Sequence, residues 1–544
     1  MSDDRTMNDE RAMNDERAMN DEGAVNDEGA TALAAARRMS HGEQLARQAR
    51  LRPEALAFQF EGERRSYAEL DERVTRLARA LADRGVRRGD RVAVLMQNCL
   101  ELVEAYLAAC RLGAIAVPVN FRLVADEVAF ILADADAAAL VVDADLAATA
   151  AAARGAAPDL PAVLATGGAE ATPDLGAESY EDALAGANPT PLVIDVPEDD
   201  PAFLMYTSGT TGRPKGAVLT HHNLVNNSVN VALTQGIKDP DEVWLSGLPL
   251  FHIGGLNGIL FHLLVGGRSI ITRSGGFDAA EIVDLMERER VTGCYFVPTQ
   301  WKAICELPGI GDRDLPLRRM SWGASVAPPS VLQAMADTFG GVPNYNMFGQ
   351  TEMSSVTCVL RGEDAVAKMG SVGTPIINVE ARIVDEQMRD VPRGEVGEIV
   401  YRGPTVMREY WRNPEATAAA FAGGWFHSGD LCVMDPDGFI TVVDRLKDMI
   451  VSGGENIYCA EVEAAIDAHP KVSDVAVVGV PHERWVETPC AVVVPADPAD
   501  PPIFEEIVEH CRTRLASYKK PTSLQVVDAL PRTASGKVQK FKLR

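Results

Sequence analysis

Residues 205–223 read MYTSGTTGRPKGAVLTHHN, and glycines and hydroxyl side chains crowd the centre of this stretch. The apolar run AFLMY before it predicts a strand, and VLTHHNLVNN after it is typical of a helix. Glycines let main-chain N–H groups approach an anion closely, the hydroxyl groups add donors, and Lys215 adds positive charge. We therefore predict that TSGTTGRPKG, the phosphate loop at 207–216, binds phosphate groups between a strand and a helix.

Two other interpretations of the loop are weaker. The P-loop of kinases and ATPases, G-x-x-x-x-G-K-[ST], requires a second glycine five positions after the first and a hydroxyl residue after the lysine. Here Pro214 lies five positions after Gly209, and Gly216 follows Lys215. A mobile surface linker would not normally lie between an apolar strand and a helix, so phosphate binding is the better interpretation.

The neighbouring sequence alternates short apolar runs with helical periods. Residues 64–83 place Leu70, Val74, Leu77 and Leu81 on one stripe, which predicts an amphipathic helix. GDRVAVLM then predicts a buried strand, ELVEAYLAACRLG a helix that ends at Gly113, and AIAVPVN another strand. This alternation indicates a parallel α/β sheet. It recurs at 137–157, 277–298 and 330–345.

The sequence pattern changes near residue 370. Short alternating strands are separated there by glycine and proline turns, which predicts a β-rich subdomain. A compact α+β pattern follows the hinge. The predicted fold class is therefore α/β, with a large N-terminal domain of parallel α/β subdomains plus the β-rich subdomain, and a small mobile α+β C-terminal domain. The predicted boundaries are a leader at 1–30, a large domain at 31–444, a hinge at 445–447 and a small domain at 448–544.

The net charge of −26 over 544 residues argues against nucleic acid or anionic lipid as a partner. The leader carries four near-identical acidic hexapeptides, from MNDERA at 7–12 to VNDEGA at 25–30. It offers too little apolar surface to offset the entropy of ordering, so we predict disorder, with an acidic partner-binding arm as the alternative.

Neither a secretory signal nor an apolar run long enough for a transmembrane segment is evident. The nine cysteines are scattered and never spaced as CxxC, so we expect small core residues in a reducing, cytoplasmic compartment. The sequence leaves a homodimer open.

Five further motifs follow the phosphate loop in order: PLFHIGG, YNMFGQTEM, GWFHSGDL, DRLKDMIVSGGENIY and PRTASGK. Together with TSGTTGRPKG, they make the chain resemble the adenylate-forming superfamily, which includes acyl-CoA synthetases, nonribosomal adenylation domains and luciferases. The resemblance covers about 50–544. It implies two half-reactions, in which a carboxylate attacks the α-phosphate of ATP, releasing pyrophosphate, and a thiol such as that of CoA then displaces AMP. The implied cofactors are ATP, Mg²⁺ and CoA.

The resemblance also implies roles for residues around the nucleotide. Glu352 matches the Mg²⁺ carboxylate, Thr207 shares the metal, and Thr351 bonds the α-phosphate. Asp430 and Arg445 hold the ribose, and Lys537 reaches the α-phosphate during adenylation. The remaining implied nucleotide contacts are the phosphate loop (Thr207, Ser208, Gly209, Thr210, Thr211, Gly212, Lys215) and the adenine-binding residues (Phe348 and Gly349 on one side, Gly323, Ala324 and Ser325 on the other).

Three further assignments concern the second half-reaction and the acid. Lys447 matches the hinge position, and Gly453, Gly454 and Glu455 would line a tunnel for the pantetheine arm of CoA. His252 would form a gate between the acyl pocket and the nucleotide without acting as a general base. Phe348 and His252 could instead be core residues, and Lys447 a surface lysine. The sequence departs from the family at Cys459, Val486 and Ser428, where proline, glycine and threonine are usual.

The acyl pocket should be lined by residues 295–304, by Ser325 and Val326, and by residues 347–355. These stretches are apolar or small and offer no carboxylate for an ammonium group, whose burial alone would be costly. An acyl-CoA ligase for a hydrophobic carboxylic acid, preferably a fatty acid, is therefore the first prediction. Only seven residues follow Lys537, so we expect a diffusible thiol as acceptor. The alternatives are an aryl-CoA ligase of the coumarate or benzoate type, an acyl-AMP ligase that loads a carrier protein, and a nonenzymatic nucleotide sensor.

Overall fold

The computed structural model describes residues 38–155, 160, 162–167, 172–190, 192, 194–207, 214–323, 327–452, 455–512, 514–532 and 538–544. The acidic leader at 1–30 lies outside these residues, so its disorder stays a prediction. Within the described ranges the α-helices, in chain order, are α1 (His41–Leu51), α2 (Tyr67–Asp83), α3 (Leu100–Leu112), α4 (Ala125–Ala135), α5 (Ala147–Arg154), α6 (Tyr180–Gly186), α7 (His221–Thr234), α8 (Ile253–Val265), α9 (Ala279–Arg288), α10 (Pro298–Cys305), α11 (Pro329–Thr338), α12 (Pro414–Ala420), α13 (Cys459–Asp467) and α14 (Phe504–Arg512).

The strands of the described residues, in chain order, are β1 (Leu56–Phe60), β2 (Glu63–Ser66), β3 (Arg91–Leu95), β4 (Ile115–Val119), β5 (Ala137–Val142), β6 (Ala162–Ala165), β7 (Glu178–Ser179), β8 (Pro201–Thr207), β9 (Lys215–Thr220), β10 (Val243–Ser246), β11 (Arg268–Ile271), β12 (Gly293–Tyr295), β13 (Arg319–Gly323), β14 (Asn344–Gln350), β15 (Ser355–Leu360), β16 (Thr374–Pro375), β17 (Glu380–Val384), β18 (Val396–Arg402), β19 (Glu409–Tyr410), β20 (Phe426–Met434), β21 (Ile440–Arg445), β22 (Ile450–Ser452), β23 (Glu455–Ile457), β24 (Val472–His482), β25 (Val486–Pro495) and β26 (Ser523–Val526).

Two large, mainly parallel sheets form most of the described chain, which confirms the α/β prediction. The nine-stranded sheet has the order β16-β15-β14-β13-β12-β10-β11-β1-β2, and its strands from β14 to β1 are parallel. The eight-stranded sheet has the order β19-β9-β8-β4-β3-β5-β6-β7, with antiparallel pairs only at β8–β9 and β9–β19. In open sheets of this kind the carboxyl ends of the strands are the usual place for a ligand.

Helix α2 illustrates how local sequence sets these elements. The Ser66 side chain accepts a hydrogen bond from the Glu69 N–H, and the Glu69 carboxylate accepts one from the Ser66 N–H, so a capping box begins the helix. The predicted apolar stripe is buried. The predicted start at residue 64 is wrong, because residues 63–66 pair with β1 as the antiparallel strand β2.

The prediction that a helix follows the phosphate loop directly is also wrong. Residues 215–220 form β9, which pairs with β8 on one side and with β19 on the other. Helix α7 begins only at His221, after Thr220 caps it by accepting from the Asn223 N–H. The apolar segment KGAVLT is buried on both faces and satisfies its main chain in a sheet, so the phosphate loop joins two antiparallel strands.

The rest of the chain forms the β-rich subdomain and the α+β unit that the sequence predicts. Strands β17, β18, β20 and β21 form an antiparallel four-stranded sheet. After it, β23, β22, β25 and β24 form a second antiparallel sheet, with β26 parallel to β25 and with α13 packed against β24. This α+β unit is the smaller C-terminal domain that the sequence predicts.

Apolar side chains fill the space on both faces of the two large sheets. One continuous cluster joins α2, α3, α7 and α8 to strands of both large sheets, and another packs α9, α10 and α11 against β12 and β13. In the part of the chain that the structure describes, no helix has both the length and the apolar character needed to cross a membrane.

Candidate functional site

The phosphate loop is held at both ends by the hairpin of β8 and β9. Thr207 at the end of β8 is the register partner of Lys215 at the start of β9. Thr207 Oγ1 lies 3.4 Å from the main-chain oxygen of Lys215. Five of the predicted phosphate ligands lie outside the described residues, so their contacts stay predictions: Ser208, Gly209, Thr210, Thr211 and Gly212.

Glu352 stands in a short 3-10 turn, Thr351–Met353, that directly follows β14. Its carboxylate Oε1 lies 3.5 Å from Thr207 Oγ1. The Tyr410 hydroxyl group donates a hydrogen bond to the same oxygen at 3.0 Å. Thr207 ends β8 of the eight-stranded sheet, and Glu352 follows the end of β14 of the nine-stranded sheet, so the carboxyl edges of the two sheets meet at this point.

The two predicted magnesium ligands are therefore neighbours. Mg²⁺ prefers oxygen donors and takes only one or two carboxylates from the protein, because it keeps water and phosphate oxygens in its shell. One carboxylate and one hydroxyl group beside the phosphate loop suit that preference, so the residues present fit the ion. Thr351 is half-buried in the same turn and stays a predicted phosphate ligand.

Helix α7 supports the turn that carries Glu352. The Asn227 amide group donates to the main-chain oxygens of Val356 at 2.8 Å and of Met353 at 3.4 Å. Asn257 of α8 donates to the Asn227 side-chain oxygen at 3.1 Å. All of these polar atoms are buried, where an unpaired group costs about 1–3 kcal/mol, so the network fixes the turn.

Two glycines beside the predicted adenine position are required by packing. A Cβ on Gly349 would lie 1.7 Å from the main-chain oxygen of Ser355. A Cβ on Gly323 would lie 2.3 Å from the main-chain oxygen of Met347. Phe348 is half-buried against the main core, and its stacking on adenine stays a prediction. Ala324 and Ser325 lie outside the described residues.

Asp430 and Arg445 face each other across β20 and β21 as register partners. The Arg445 guanidinium Nε lies 2.8 Å from Asp430 Oδ1, and the carboxylate is almost fully buried. The hydroxyl oxygen of Ser428, where threonine is usual, accepts a hydrogen bond from the Asp430 N–H at 3.0 Å. A hydroxyl side chain at this position therefore supports the main chain of Asp430.

Strand β15 supports the predicted adenine side of the site. Cys358 is the register partner of Phe348, and its side chain is fully buried. Burial raises the pKa of the Cys358 thiol to about 12, so this cysteine is a neutral core residue behind Phe348.

His252 caps helix α8, and its Nδ1 accepts a hydrogen bond from the Gly254 N–H at 3.2 Å. Burial lowers the pKa of its imidazole, so the ring is neutral at neutral pH. Its local role is structural, and the gate function stays a prediction. Its position at the amino end of α8 follows the end of β10, on the carboxyl side of the nine-stranded sheet.

The predicted acyl-pocket segment at 295–304 divides between two environments. Tyr295 and Val297 are half-buried, and Tyr295 packs with Met347 and Phe348 against the main core. Phe296, Trp301 and Ile304 are instead fully buried in the cluster around α11. The local structure explains the division. Tyr295 and Phe296 are successive residues at the end of β12 and face opposite sides, whereas Trp301 and Ile304 are three residues apart and share one face of α10.

The hinge lies between β21 and β22. Lys447 is exposed there, and Arg544 donates to its main-chain oxygen at 3.3 Å. Glu455 is exposed on β23, whereas Gly453, Gly454 and Lys537 lie outside the described residues, so the roles of all four stay predictions. The sequence also departs from the family at Cys459 and Val486, which lie after the hinge.

Cys459, which stands where proline is usual, uses the N–H group that proline would lack. Its main-chain N–H donates to the buried carboxylate of Asp444, on the other side of the hinge. Its thiol group donates to the main-chain oxygen of Asp448 at 2.9 Å. Val486, where glycine is usual, has a φ of 72°, a left-handed conformation that is strained for a β-branched residue. It is the register partner of Ser452, beside the predicted tunnel glycines.

The sequence reasoning missed two functional neighbours of Glu352. Tyr410 lies outside every quoted motif, and no local pattern connects it to a residue 58 positions earlier. Asn227 had a detectable signal, because Asn223, Asn227 and Asn230 recur at helical spacing and are all buried. A polar stripe on a buried helix face indicates a hydrogen-bonded network.

Comparison with known proteins identifies two family profiles that match this chain. The profile of the AMP-binding enzyme family matches residues 45–411, and that of the AMP-binding enzyme C-terminal domain matches residues 461–537. A feruloyl-CoA synthase from Amycolatopsis sp is 41% identical over 504 residues, covering 92% of this chain and 98% of that protein. The long-chain-fatty-acid–CoA ligase FadD13 of Mycobacterium tuberculosis (strain ATCC 25618 / H37Rv) is 37% identical, covering 88% and 93%.

Among solved structures, the chain resembles o-succinylbenzoate coenzyme A synthetase (MenE) from Bacillus subtilis in complex with ATP and magnesium ion. The TM-score is 0.81 at 32% identity, and the match covers 92% of this chain and 98% of that chain. The likeness therefore includes both the large domain and the smaller C-terminal one.

Proposed function

The chain belongs to the AMP-binding enzyme family, and we propose that it is an AMP-forming ligase that joins an apolar carboxylic acid to the thiol group of coenzyme A. The reaction would proceed through an acyl-adenylate. The relatives that match over nearly the whole chain bear names of CoA synthases and ligases, which supports this proposal.

One observation carries the proposal: Thr207 and Glu352 meet within 3.5 Å at the base of the phosphate loop. Attack of one anion on another requires that negative charge be neutralised by preorganised groups. A magnesium ion held by Glu352 and Thr207 would supply this neutralisation at the phosphate oxygens. Lys215, at the end of the loop, adds a further positive charge.

In the first half-reaction, a carboxylate oxygen of the acid attacks the α-phosphorus of ATP, the bond to the bridging oxygen breaks, and pyrophosphate leaves. Asp430 and Arg445 would hold the ribose, Phe348 would cover the adenine, and Thr351 with Lys537 would contact the α-phosphate. His252 is neutral, and no base is needed because a carboxylic acid is already ionised at neutral pH.

In the second half-reaction, the sulfur of coenzyme A attacks the carbonyl carbon of the acyl-adenylate, its proton passes to solvent, and AMP leaves. The small domain would turn about Lys447 between the two steps, withdrawing Lys537 and presenting Gly453, Gly454 and Glu455 to the pantetheine arm. Hinge motion of this kind lets one substrate site serve two reactions.

The class of acid is the narrower part of the proposal. Tyr295, Val297 and Met347 are half-buried and uncharged, and Val297 and Met347 are apolar, which suits an uncharged acyl group. The identity with the feruloyl-CoA synthase exceeds that with the fatty-acid ligase, so we place an aryl acid first and a fatty acid second. The preference for fatty acids stated from the sequence is thus reversed in rank, and both classes must be tested.

The experiment is ATP–pyrophosphate exchange with the purified chain over a panel of acids: ferulic, coumaric, benzoic and indoleacetic acids beside short, medium and long fatty acids. The proposal expects acid-dependent exchange, release of AMP, and a thioester mass that appears only with coenzyme A. A product seen only with a carrier protein would favour the acyl-AMP ligase. Nucleotide binding without exchange for any acid would favour the sensor, and hydrolysis of ATP to ADP would overturn the adenylate mechanism.

A further inference from the structure

The short segment at 407–411 holds Glu352 at two points. The Met407 N–H donates to the main-chain oxygen of Glu352 at 2.7 Å. The Tyr410 hydroxyl group donates to the Oε1 atom of the same residue at 3.0 Å. One segment therefore fixes both the main chain and the carboxylate of the residue assigned to magnesium.

Tyr410 is itself firmly placed. Its N–H donates to the Thr417 hydroxyl oxygen at 3.0 Å. Tyr410 is the register partner of Ala217 where β19 pairs with β9, and the next residue, Trp411, donates to the Gly216 oxygen at 2.7 Å. The tyrosine is thus anchored to the strand that begins at the end of the phosphate loop.

The ring of Tyr410 also contacts the phosphate loop. The ammonium nitrogen of Lys215 lies 5.1 Å from the centre of the ring. A cation within about 6 Å of an aromatic face is attracted by the ring's quadrupole, so this contact gives Lys215 a defined resting position. The hydroxyl group and the ring of one side chain therefore contact two different residues of the site.

We propose that Tyr410 is a positioning residue, whose hydroxyl group orients the Glu352 carboxylate toward the metal ion and whose ring holds Lys215 beside the phosphates. The inference rests on the proposed function, which assigns Glu352 to magnesium. A hydrogen bond to one oxygen restricts the rotation of the carboxylate. The side chain therefore loses less conformational entropy when it binds the ion.

The direction of this hydrogen bond supports the role. The phenol hydroxyl group has a proton to donate, and an ionised carboxylate can only accept. The hydrogen bond therefore has one direction and adds no negative charge to the metal site.

Two substitutions separate the two contacts. Tyr410→Phe removes the hydroxyl group and keeps the ring, whereas Tyr410→Leu removes both. The matched control is Tyr180→Phe, because the Tyr180 hydroxyl group also donates to a carboxylate, that of Glu104, at 2.8 Å and away from the site. Thermal unfolding of each variant without nucleotide shows that it is folded.

The main readout is metal affinity rather than turnover: titration of Mn²⁺ into protein with a nonhydrolysable ATP analogue, followed by the electron paramagnetic resonance signal of free Mn²⁺. Tyr410→Phe should weaken Mn²⁺ binding by roughly 10-fold, the size expected for one hydrogen bond to a charged group. Its affinity for the analogue without metal should match that of the wild type. Tyr410→Leu should weaken the metal-free affinity as well, by roughly 3-fold, because Lys215 loses its contact.

Two outcomes would overturn the inference. One is that Tyr410→Phe binds Mn²⁺ as tightly as the wild type and the Tyr180→Phe control. The other is that it loses activity while its Mn²⁺ affinity is unchanged, which indicates a merely structural role. Failure of the proposed function would look different, because wild-type protein that forms ADP, or forms no adenylate, still allows the comparison of metal affinities.

Discussion

Replacing His262 by phenylalanine should make the protein less sensitive to acid. His262 lies in the last turn of α8, its ring stacks on Trp244 with 5.0 Å between the ring centres, and it is buried. Its Nδ1 donates to the Gly258 oxygen at 2.8 Å, while its Nε2 has no hydrogen-bond partner in the described part of the chain. Protonation would thus place a charge in the core with no hydrogen-bond acceptor at Nε2 in the described part of the chain.

The size and sign of the effect follow from proton linkage. Burial lowers the pKa of His262 from 6.5 to about 3. Between these values the unfolded chain binds a proton that the folded chain does not, so the free energy of unfolding falls as the pH falls below 6.5. Integrating from pH 7 to pH 5 gives a loss of about 2 kcal/mol from this residue alone.

The assay is urea unfolding followed by tryptophan fluorescence at pH 7 and pH 5, for the wild type and the His262→Phe variant. The difference in unfolding free energy between the two pH values should be smaller by about 2 kcal/mol in the variant. His222→Phe, at an exposed position on α7, is the control and should keep the wild-type difference. If His262→Phe keeps the full wild-type difference, the reasoning about its buried neutral ring is wrong.

Three further predictions concern the two half-reactions, the hinge and the network that supports the Glu352 turn. Lys537→Ala should abolish ATP–pyrophosphate exchange and leave thioester formation from a supplied acyl-adenylate, so an equal loss of both would contradict its assignment. Cys459→Pro removes the N–H that bonds buried Asp444 and should destabilise this contact by about 1–3 kcal/mol. Limited proteolysis at 445–447 should then be faster than in Cys459→Ala, and equal rates would exclude the contact. Asn227→Leu should lower the free energy of unfolding by roughly 3 kcal/mol, as measured in urea, whereas the neighbouring Asn226→Leu should change it little.

Much of the fold was predictable because the spacing of apolar residues and the glycines that end helices are local properties of the sequence. The stripe of Leu70, Val74, Leu77 and Leu81 and the C-terminal Gly113, whose φ is 69°, gave α2 and α3 within three residues. The same local reasoning started α7 at residue 218, three residues too early, because residues 218–220 belong to β9. The apolar run in KGAVLT is compatible with either a strand or a helix, and only the pairing of β9 with β8 and β19 excludes a helix there.

The candidate site was predictable in its residue types and in its order along the chain. Thr207, Glu352, Asp430 and Arg445 were chosen from motifs, and the structure brings Thr207 to Glu352 and Asp430 to Arg445. Tyr410 was not predictable, since a residue outside the motifs gives no sign of its partner. The segment at 295–304 was predicted as pocket lining throughout, but Phe296, Trp301 and Ile304 belong to the core.

What the sequence determines alone is the chemical inventory: a glycine-rich loop, the carboxylates of Glu352 and Asp430 in their motifs, and the alternation of strands and helices that indicates a parallel sheet. These follow from covalent properties and from interactions within a few residues, which are the same in any context. The tertiary structure decides which groups meet. Glu352 contacts Tyr410, and Cys459 contacts Asp444 across the hinge, only because the sheets and domains pack as they do. That packing is driven by the burial of apolar surface over the whole chain, which no local pattern contains.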